Sequence, residues 1–211
     1  MKKNTALPLL LLLSILLFPQ SLHAQATGTE NFVVSFNIPT ASSIIISAVE
    51  VDATTGQFGN QVTALNFSPA TLDSLLGVFF PDHFFAIDVA TAGGAGQPTT
   101  TISYLDGNNP NAPFNGLGWK TSATFVRVSG PDNAQVEDFL TNHGPKKLLK
   151  DLNGETISGA EIFGGYLRIY VGIVTLDPNA IVLDPPEAEV FSVADTPGNY
   201  DGTLTISSTV S

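Results

Sequence analysis

The chain has 211 residues, no cysteine and a formal net charge of −11 at pH 7. The absence of cysteine excludes disulfides, thiol catalysis and cysteine-ligated metal centres, and the acidic balance disfavours nucleic acid, a polyanion, as a partner. Only 13% of the residues are charged, against about a quarter in soluble domains, and this composition favours a surface or fibre protein over an enzyme.

Residues 1–26 have the pattern of a secretory signal peptide. Lys2 and Lys3 precede an apolar stretch over residues 6–18. This stretch is followed by small residues that fit signal-peptidase cleavage after Ala24 or after Ala26. The apolar stretch is shorter than the about 20 residues that a membrane-spanning helix needs, so an uncleaved anchor is the less favoured alternative. We predict export of the mature chain, residues 27–211, to the periplasm, the cell surface or the medium, without stable membrane insertion.

The mature chain is dominated by β patterns. From Phe32 to Ile38, the large apolar residues Phe32, Val34, Phe36 and Ile38 alternate with Val33, Ser35 and Asn37, a period of two that is typical of a strand. Residues 166–176 are almost continuously apolar or β-branched, which predicts a central strand covered on both faces. We also predict a hairpin at Gly93–Gly96 and further strands over residues 44–51, 62–67, 84–89, 99–105, 119–128, 190–193 and 200–210.

Many short strands separated by Gly, Pro and Asn turns predict an all-β fold, an immunoglobulin-like antiparallel β-sandwich. One elaborated domain over residues 27–211 is the preferred organisation, and two smaller sandwiches divided near residues 107–116 are the alternative. Asp132 is a candidate cap for one helix that ends before Pro145, and a second short turn is expected over residues 146–152. We therefore predict one short helical insertion near residues 132–152.

Lysines collect at the end of this insertion, at Lys146, Lys147 and Lys150. A solvated face beside neighbouring leucines is the favoured interpretation. A contact patch for an acidic neighbouring subunit is the alternative.

Few residues have a pattern that indicates chemistry. Asp82 and His83 could act as an orienting carboxylate and a general base, although a turn at the start of a strand is the favoured interpretation. The loop at residues 106–111 is rich in oxygen ligands, but Asn111 and Leu117 stand where an EF-hand needs Gly and Glu. An irregular calcium site stays open as an alternative, and we expect no catalytic residues, no cofactor and no metal.

Three aromatic residues, Tyr104, Phe114 and Trp119, are candidates for a glycan-binding platform. The favoured interpretation is that they pack in the core or in a loop. The alternative is that they form the glycan-binding platform, and a carbohydrate-binding function would depend on it.

The end of the chain has a more specific pattern. Pro197-Gly198 forms a turn, after which Tyr200, Leu204, Ile206 and Val210 are candidates for a closing strand. A tyrosine that enters a late strand in this way is typical of the tyrosine corner of immunoglobulin-like sandwiches. The segment Pro197–Ile206, together with Gly165–Val171, resembles the last strands of bacterial pilin-like and spore-coat-like secreted domains. The chain lacks the cysteine pair common in pilins.

This resemblance implies a route to assembly. Pilins of the chaperone–usher kind are incomplete sandwiches that an extension from the next subunit completes by β-strand addition. Phe32, Val34, Phe36 and Ile38 are the candidate donor strand, with the first strand of the chain's own sandwich as the alternative.

We predict an exported structural protein, a pilin-like subunit of a surface fibre or layer. Its partners would be copies of itself or other surface subunits. A secreted carbohydrate-binding or adhesion module that recognises polysaccharide is the alternative, and a secreted hydrolase is the least favoured.

Overall fold

A computed structural model describes residues 27–31, 44–91, 98–113, 115–128, 146–157, 166–175 and 184–210. Two single turns of 3-10 helix occur within these ranges, at Leu117–Trp119 and Leu149–Asp151. The described residues form twelve strands: β1 (Thr27–Asn31), β2 (Ile44–Asp52), β3 (Phe58–Val62), β4 (Ala70–Asp73), β5 (Val78–Pro81), β6 (His83–Thr91), β7 (Pro98–Asp106), β8 (Thr121–Val128), β9 (Lys146–Leu148), β10 (Asn153–Ile157), β11 (Tyr166–Ile173) and β12 (Gly202–Val210).

The strands form two main sheets and one separate hairpin. The smaller sheet has the order β1-β12-β7-β10, the larger has the order β3-β2-β6-β11-β8-β9, and β4 pairs with β5 alone. All of these pairings are antiparallel. The architecture is therefore an all-β, sandwich-like fold, which confirms the predicted fold class at that level.

Side chains from both sheets meet in one core. In β2, buried residues alternate with more exposed ones, as expected for a strand with one face inward. In β12, Leu204 and Ile206 are buried, while the alternating residues Thr203 and Thr205 are half-buried. The core residues are Ile44, Ile46, Ala48, Ile87, Val89, Ile102, Ala123, Phe125, Leu149, Leu152, Leu167, Ile169, Val171, Leu204 and Ile206.

The central strand β11 is covered on both faces, as its apolar sequence predicts. It lies between β6 and β8, and its first seven residues are buried. Leu167, Ile169 and Val171 face the shared core. On the opposite face, Tyr170 packs in a second cluster with Val51, Phe84 and Ala86.

Two predicted strands and one predicted hairpin do not form where the sequence placed them. Residues 63–69 are irregular, and the strand β3 comes before them. The reason is a turn that reverses the chain directly after Asp52. In this turn the Asp52 Oδ1 accepts from the backbone amide of Thr55 (2.6 Å), and Gly56 has φ 69°. Residues 190–193 contribute only an isolated bridge between Ser192 and Val78. The loop that contains Gly93–Gly96 does not close a hairpin, because β6 and β7 belong to different sheets.

The predicted helical insertion is also corrected where it is described. Lys146–Leu148 forms β9, which pairs with Ser122–Thr124, and the single turn that follows buries Leu149 against the core. Residues 129–145, including the predicted cap, lie outside the described residues, as do residues 1–26, Phe114 and the candidate donor residues Phe32, Val34, Phe36 and Ile38. Both sheets contain strands from either side of residues 107–116, so a division there does not match the observed pairing.

Candidate binding groove and N-terminal edge

A groove of about 940 Å³ lies at the edge of the sandwich. One wall is the irregular segment 64–70 together with β5, and the other is the segment 191–202 that leads into β12. We call it the aromatic groove, because Phe67, Phe79, Phe191 and Tyr200 all line it.

The segment 191–202 is attached to the β4–β5 hairpin by its backbone. The amide of Phe79 donates to the carbonyl of Phe191 (2.8 Å), and the amide of Val193 donates to the carbonyl of Gly77 (2.9 Å). These bonds flank the isolated bridge between Val78 and Ser192, so β5 in one wall of the aromatic groove is hydrogen-bonded to the other wall.

Lys120 also holds the segment 191–202 in place. The residue is 3% exposed, and its Nζ donates to the carbonyl of Val190 (2.8 Å) and lies 3.0 Å from Asp195 Oδ1. Asp195 also accepts from the amide of Ser192 (2.8 Å) and from Nδ2 of Asn111 (3.0 Å). Because a buried cation needs a compensating anion, this pair holds the groove wall in place.

The aromatic pair at the end of the wall is fixed as well. The rings of Phe191 and Tyr200 meet edge to face, with centroids 4.9 Å apart. The Tyr200 hydroxyl donates to the carbonyl of Thr196 (2.7 Å), four residues upstream, a side-chain to backbone bond of the kind expected for a tyrosine corner. Burial raises the pKa of Tyr200, and the charge of Asp195 raises it further.

The loop at residues 106–111, considered above as an irregular calcium site, joins two parts of the fold. Asp201 Oδ1 accepts from the amide of Asn108 (2.6 Å), and Asp106 Oδ1 accepts from the amide of Gly118 (2.9 Å). A Cβ on Gly107 would lie 2.1 Å from Asp201 Oδ1, so any side chain there would displace the Asp201 carboxylate. The oxygens of the loop thus accept from protein donors, and the described residues contain no group of three acidic or histidine side chains placed to hold a metal ion.

Two of the three predicted platform residues, Tyr104 and Trp119, are described and half-buried, and each has a partner within the chain. The Tyr104 hydroxyl donates to Asp106 Oδ1 (2.9 Å), and its ring lies against Gly118 and Gly202. Burial, followed by the hydrogen bond to Asp106, raises the pKa of Tyr104 far above its ordinary value. Lys150 Nζ lies 4.1 Å from the centroid of the Trp119 ring. The arrangement supports the packing interpretation.

His83 has both ring nitrogens engaged. Nδ1 lies 2.5 Å from Asp82 Oδ1, and Nε2 lies 2.7 Å from the carbonyl oxygen of Asn66. The ring also meets the edge of Phe85, with centroids 5.2 Å apart. A general base needs a nitrogen that can reach the substrate, so these contacts favour the structural interpretation, in which His83 ties segment 64–70 to the start of β6.

The lysines of the predicted patch have partners within the chain. Lys147 Nζ lies 2.6 Å from Glu155 Oε2, and Lys150 Nζ lies 2.6 Å from Asp151 Oδ1. Burial lowers the pKa of Lys146, a shift that the charge of Asp184 opposes. These contacts favour neither an exposed basic patch nor a strong ion pair, since such partly exposed pairs contribute little.

The second candidate site is the N-terminal edge of the smaller sheet. Here β1 pairs with β12, from Thr27 opposite Thr209 to Asn31 opposite Thr205. The sequence of β1, Thr-Gly-Thr-Glu-Asn, contains no apolar side chain. It begins directly after the predicted cleavage site and directly before the candidate donor residues.

Comparison of this chain with protein-family models, with curated proteins and with solved structures found no match. Within the described ranges, the structure contains no helix with the length and hydropathy needed to cross a bilayer.

Sequence reasoning missed the aromatic groove and found only its Tyr200 end. Phe79 and Phe191 are separated by more than half of the mature chain, and neither stands in a motif. The available signal was Lys120, a charged residue beside a β-rich run, whose burial requires an acidic partner.

Proposed function

We propose that the chain is an exported structural subunit, pilin-like in its mode of assembly, that builds a surface fibre or layer by β-strand addition. The observation that carries this proposal is the pairing of β1, a short polar edge strand, with the closing strand β12. Signal-peptide cleavage after Ala26 would place this strand at the free end of the mature chain.

The composition of β1 makes the strand suitable for exchange. It has no apolar side chain to bury, so its attachment depends mainly on backbone hydrogen bonds, each contributing about 0.5–1.5 kcal/mol net. The β1 strand of a neighbouring copy would form the same bonds. Exchange between subunits therefore conserves most of the binding energy.

The acceptor strand is rigid. In β12, Leu204 and Ile206 are buried in the shared core, and the other edge of the strand pairs with β7 over nine residues. When β1 leaves, β12 presents a row of unpaired backbone groups, the template that β-strand addition requires. Copies of the same chain, or other surface subunits with a similar N-terminal strand, are the proposed partners.

An engineered disulfide tests the exchange. Thr29 and Ser207 are cross-strand partners, and the natural chain has no cysteine, so the double variant Thr29→Cys/Ser207→Cys contains the only two thiols. Oxidation of the assembled mature protein is expected to give a ladder of covalent oligomers on a non-reducing gel. The same oxidation is carried out under every condition that gives filaments by electron microscopy. A single monomer band with an internal disulfide under all of these conditions would contradict the proposal.

A variant with the cysteines out of register is the matched control. Thr205 lies opposite Asn31, two residues from the partner of Thr29. Such diagonal positions are about 7–8 Å apart, beyond the reach of an unstrained disulfide. Thr29→Cys/Thr205→Cys is therefore expected to give far less of the ladder under the same conditions.

A further inference from the structure

We propose that the aromatic groove binds a neutral oligosaccharide, a function separate from strand exchange. Its volume of about 940 Å³ is within the range of about 300–1,000 Å³ for ligand sites. Phe79, Phe191 and Tyr200 supply apolar ring surface for the C–H faces of sugar rings.

Polar groups at the rim suit hydroxyl ligands, which both donate and accept. Asp201 is exposed, and its Oδ1 accepts from the amide of Asn108, while no described residue donates to its Oδ2. Asn66 accepts from the amide of Ser68 through Oδ1, so its side-chain NH₂ is a donor. Asn199 is exposed on the opposite wall, the same wall as Asp201, and its side-chain amide adds a further donor. Carboxylate acceptors and amide donors therefore lie beside aromatic rings.

Charge disfavours anionic sugars. The acidic residues that line the groove are Asp195 and Asp201, and no lysine or arginine lines it. Asp195 pairs with the buried Lys120, so among the described residues of the lining Asp201 is the carboxylate without a cationic partner. A sulfated or uronic acid chain would be repelled by this carboxylate.

One aromatic ring of the groove already has a cationic partner. Lys120 Nζ lies 5.2 Å from the centroid of the Phe191 ring. A neutral ligand uses the other ring surfaces and the polar rim, and it needs no charged partner.

The groove is preorganised for binding. Lys120 and Asp195 fix one wall, the Tyr200 hydroxyl bonds to its own backbone, and the 106–111 loop is bonded to Asp201. Rigid walls reduce the entropy lost when a ligand binds. Preorganisation matters most for sugars, because water competes for every hydroxyl contact.

The test compares two adjacent phenylalanines. Phe79 lines the groove, whereas Phe80 follows it on the same short strand, where successive side chains point to opposite faces. Mature protein is applied to an array of neutral β-glucans, mannans and galactans beside sulfated and uronic acid polysaccharides. Affinity for the best neutral oligosaccharide is then measured by calorimetry for the wild type, Phe79→Ala, Phe80→Ala and Asn199→Ala.

We expect binding to at least one neutral class. Phe79→Ala should weaken it at least about tenfold, the loss of about 1.4 kcal/mol. Phe80→Ala should stay within about twofold of the wild type, and Asn199→Ala, an exposed change that leaves the fold intact, should weaken binding by a smaller factor. Binding to no neutral polysaccharide, preference for the acidic ones, or equal losses in Phe79→Ala and Phe80→Ala would overturn the proposal.

This result is independent of fibre assembly. The groove ends at Gly202, whereas β1 pairs with residues 205–209. Calorimetry on the oxidised monomer of Thr29→Cys/Ser207→Cys measures sugar binding whether or not the wild type forms fibres.

Discussion

Arg168 and Asp88 form a two-point ion pair across β11 and β6, with Nε–Oδ1 and NH2–Oδ2 distances of 2.6 and 2.8 Å. The side chains are only 1% and 8% exposed. Arg168 also donates to the Tyr166 hydroxyl (3.0 Å) and lies 4.6 Å from the centroid of the Phe58 ring. Burial lowers the pKa of Arg168, but the hydrogen bond and charge of Asp88 raise it more, so the guanidinium stays charged inside the protein.

Removing one member of this pair should destabilise the fold severely. Arg168→Met leaves the carboxylate of Asp88 buried without its cation, and we expect a loss of about 3–5 kcal/mol in the free energy of unfolding. Urea unfolding followed by circular dichroism measures it. The control Lys147→Met breaks a pair in which both side chains are about one-third exposed, and should cost no more than about 1 kcal/mol. Equal losses in the two variants would contradict the structure.

The same pair shows what the sequence predicts and what it does not. The apolar runs around Asp88 and Arg168 identify β6 and β11 correctly, because strand periodicity is a local property. The register that places the two residues opposite each other depends on packing between segments 80 residues apart. A charged residue within each of two apolar strands was a usable signal, since a charge buried in a central strand requires a partner.

The groove could not be predicted for the same reason. Its walls come from segments 64–81 and 191–202, of which the sequence analysis assigned only residues 64–67, 191–193 and 200–202 to strands, with no local signal that brings the two segments together. Only the tyrosine at the start of the closing strand carried a local pattern, and the structure places its hydroxyl on Thr196. The edge strand β1 was likewise missed, because Thr-Gly-Thr-Glu-Asn has no apolar alternation.

Lys120 should control the stability of the groove wall. Lys120→Met removes the contacts to Val190 and Asp195 and leaves a nearly buried carboxylate, so we expect a loss of about 3 kcal/mol or more. Limited proteolysis should cut first within residues 190–200. Lys150→Met, which affects a more exposed lysine paired with Asp151, is the control and should leave the cleavage pattern unchanged. Unchanged protease resistance in Lys120→Met would contradict the proposed anchoring.

Gly202 should tolerate no side chain while Tyr104 keeps its place. A Cβ on Gly202 would lie 2.0 Å from the Tyr104 hydroxyl oxygen, so Gly202→Ala must displace a ring held by Asp106. We expect a loss of about 1–3 kcal/mol, typical of overpacking, measured by urea unfolding. At Gly59 the nearest atom to a new Cβ would be 3.5 Å away, so Gly59→Ala should have almost no such effect. Combining Gly202→Ala with Tyr104→Ala should cost less than the sum of the single changes, because the clash is removed.

The tyrosines should make the protein sensitive to alkali. Burial raises the pKa of Tyr104, Tyr170 and Tyr200 above the ordinary value of 10.0; the Asp106 hydrogen bond adds to the rise at Tyr104, and Arg168 only partly offsets it at Tyr170. A folded-state pKa above the unfolded value means that the stabilisation is complete below about pH 10 and is lost as the pH rises towards the folded-state values. Tyrosinate absorbance should therefore appear together with the loss of β-sheet circular dichroism.

Tyr104→Phe separates this linkage from general alkaline damage. The variant should be less stable at neutral pH by about 1 kcal/mol, because it loses the hydrogen bond to Asp106. Its stability should fall less steeply above pH 10, because one fewer raised pKa contributes to the slope. If the wild-type tyrosines all ionise near pH 10 while the β-sheet signal is unchanged, the tyrosines are not protected as the structure requires, and the packing of Tyr104 between Gly118 and Gly202 is wrong.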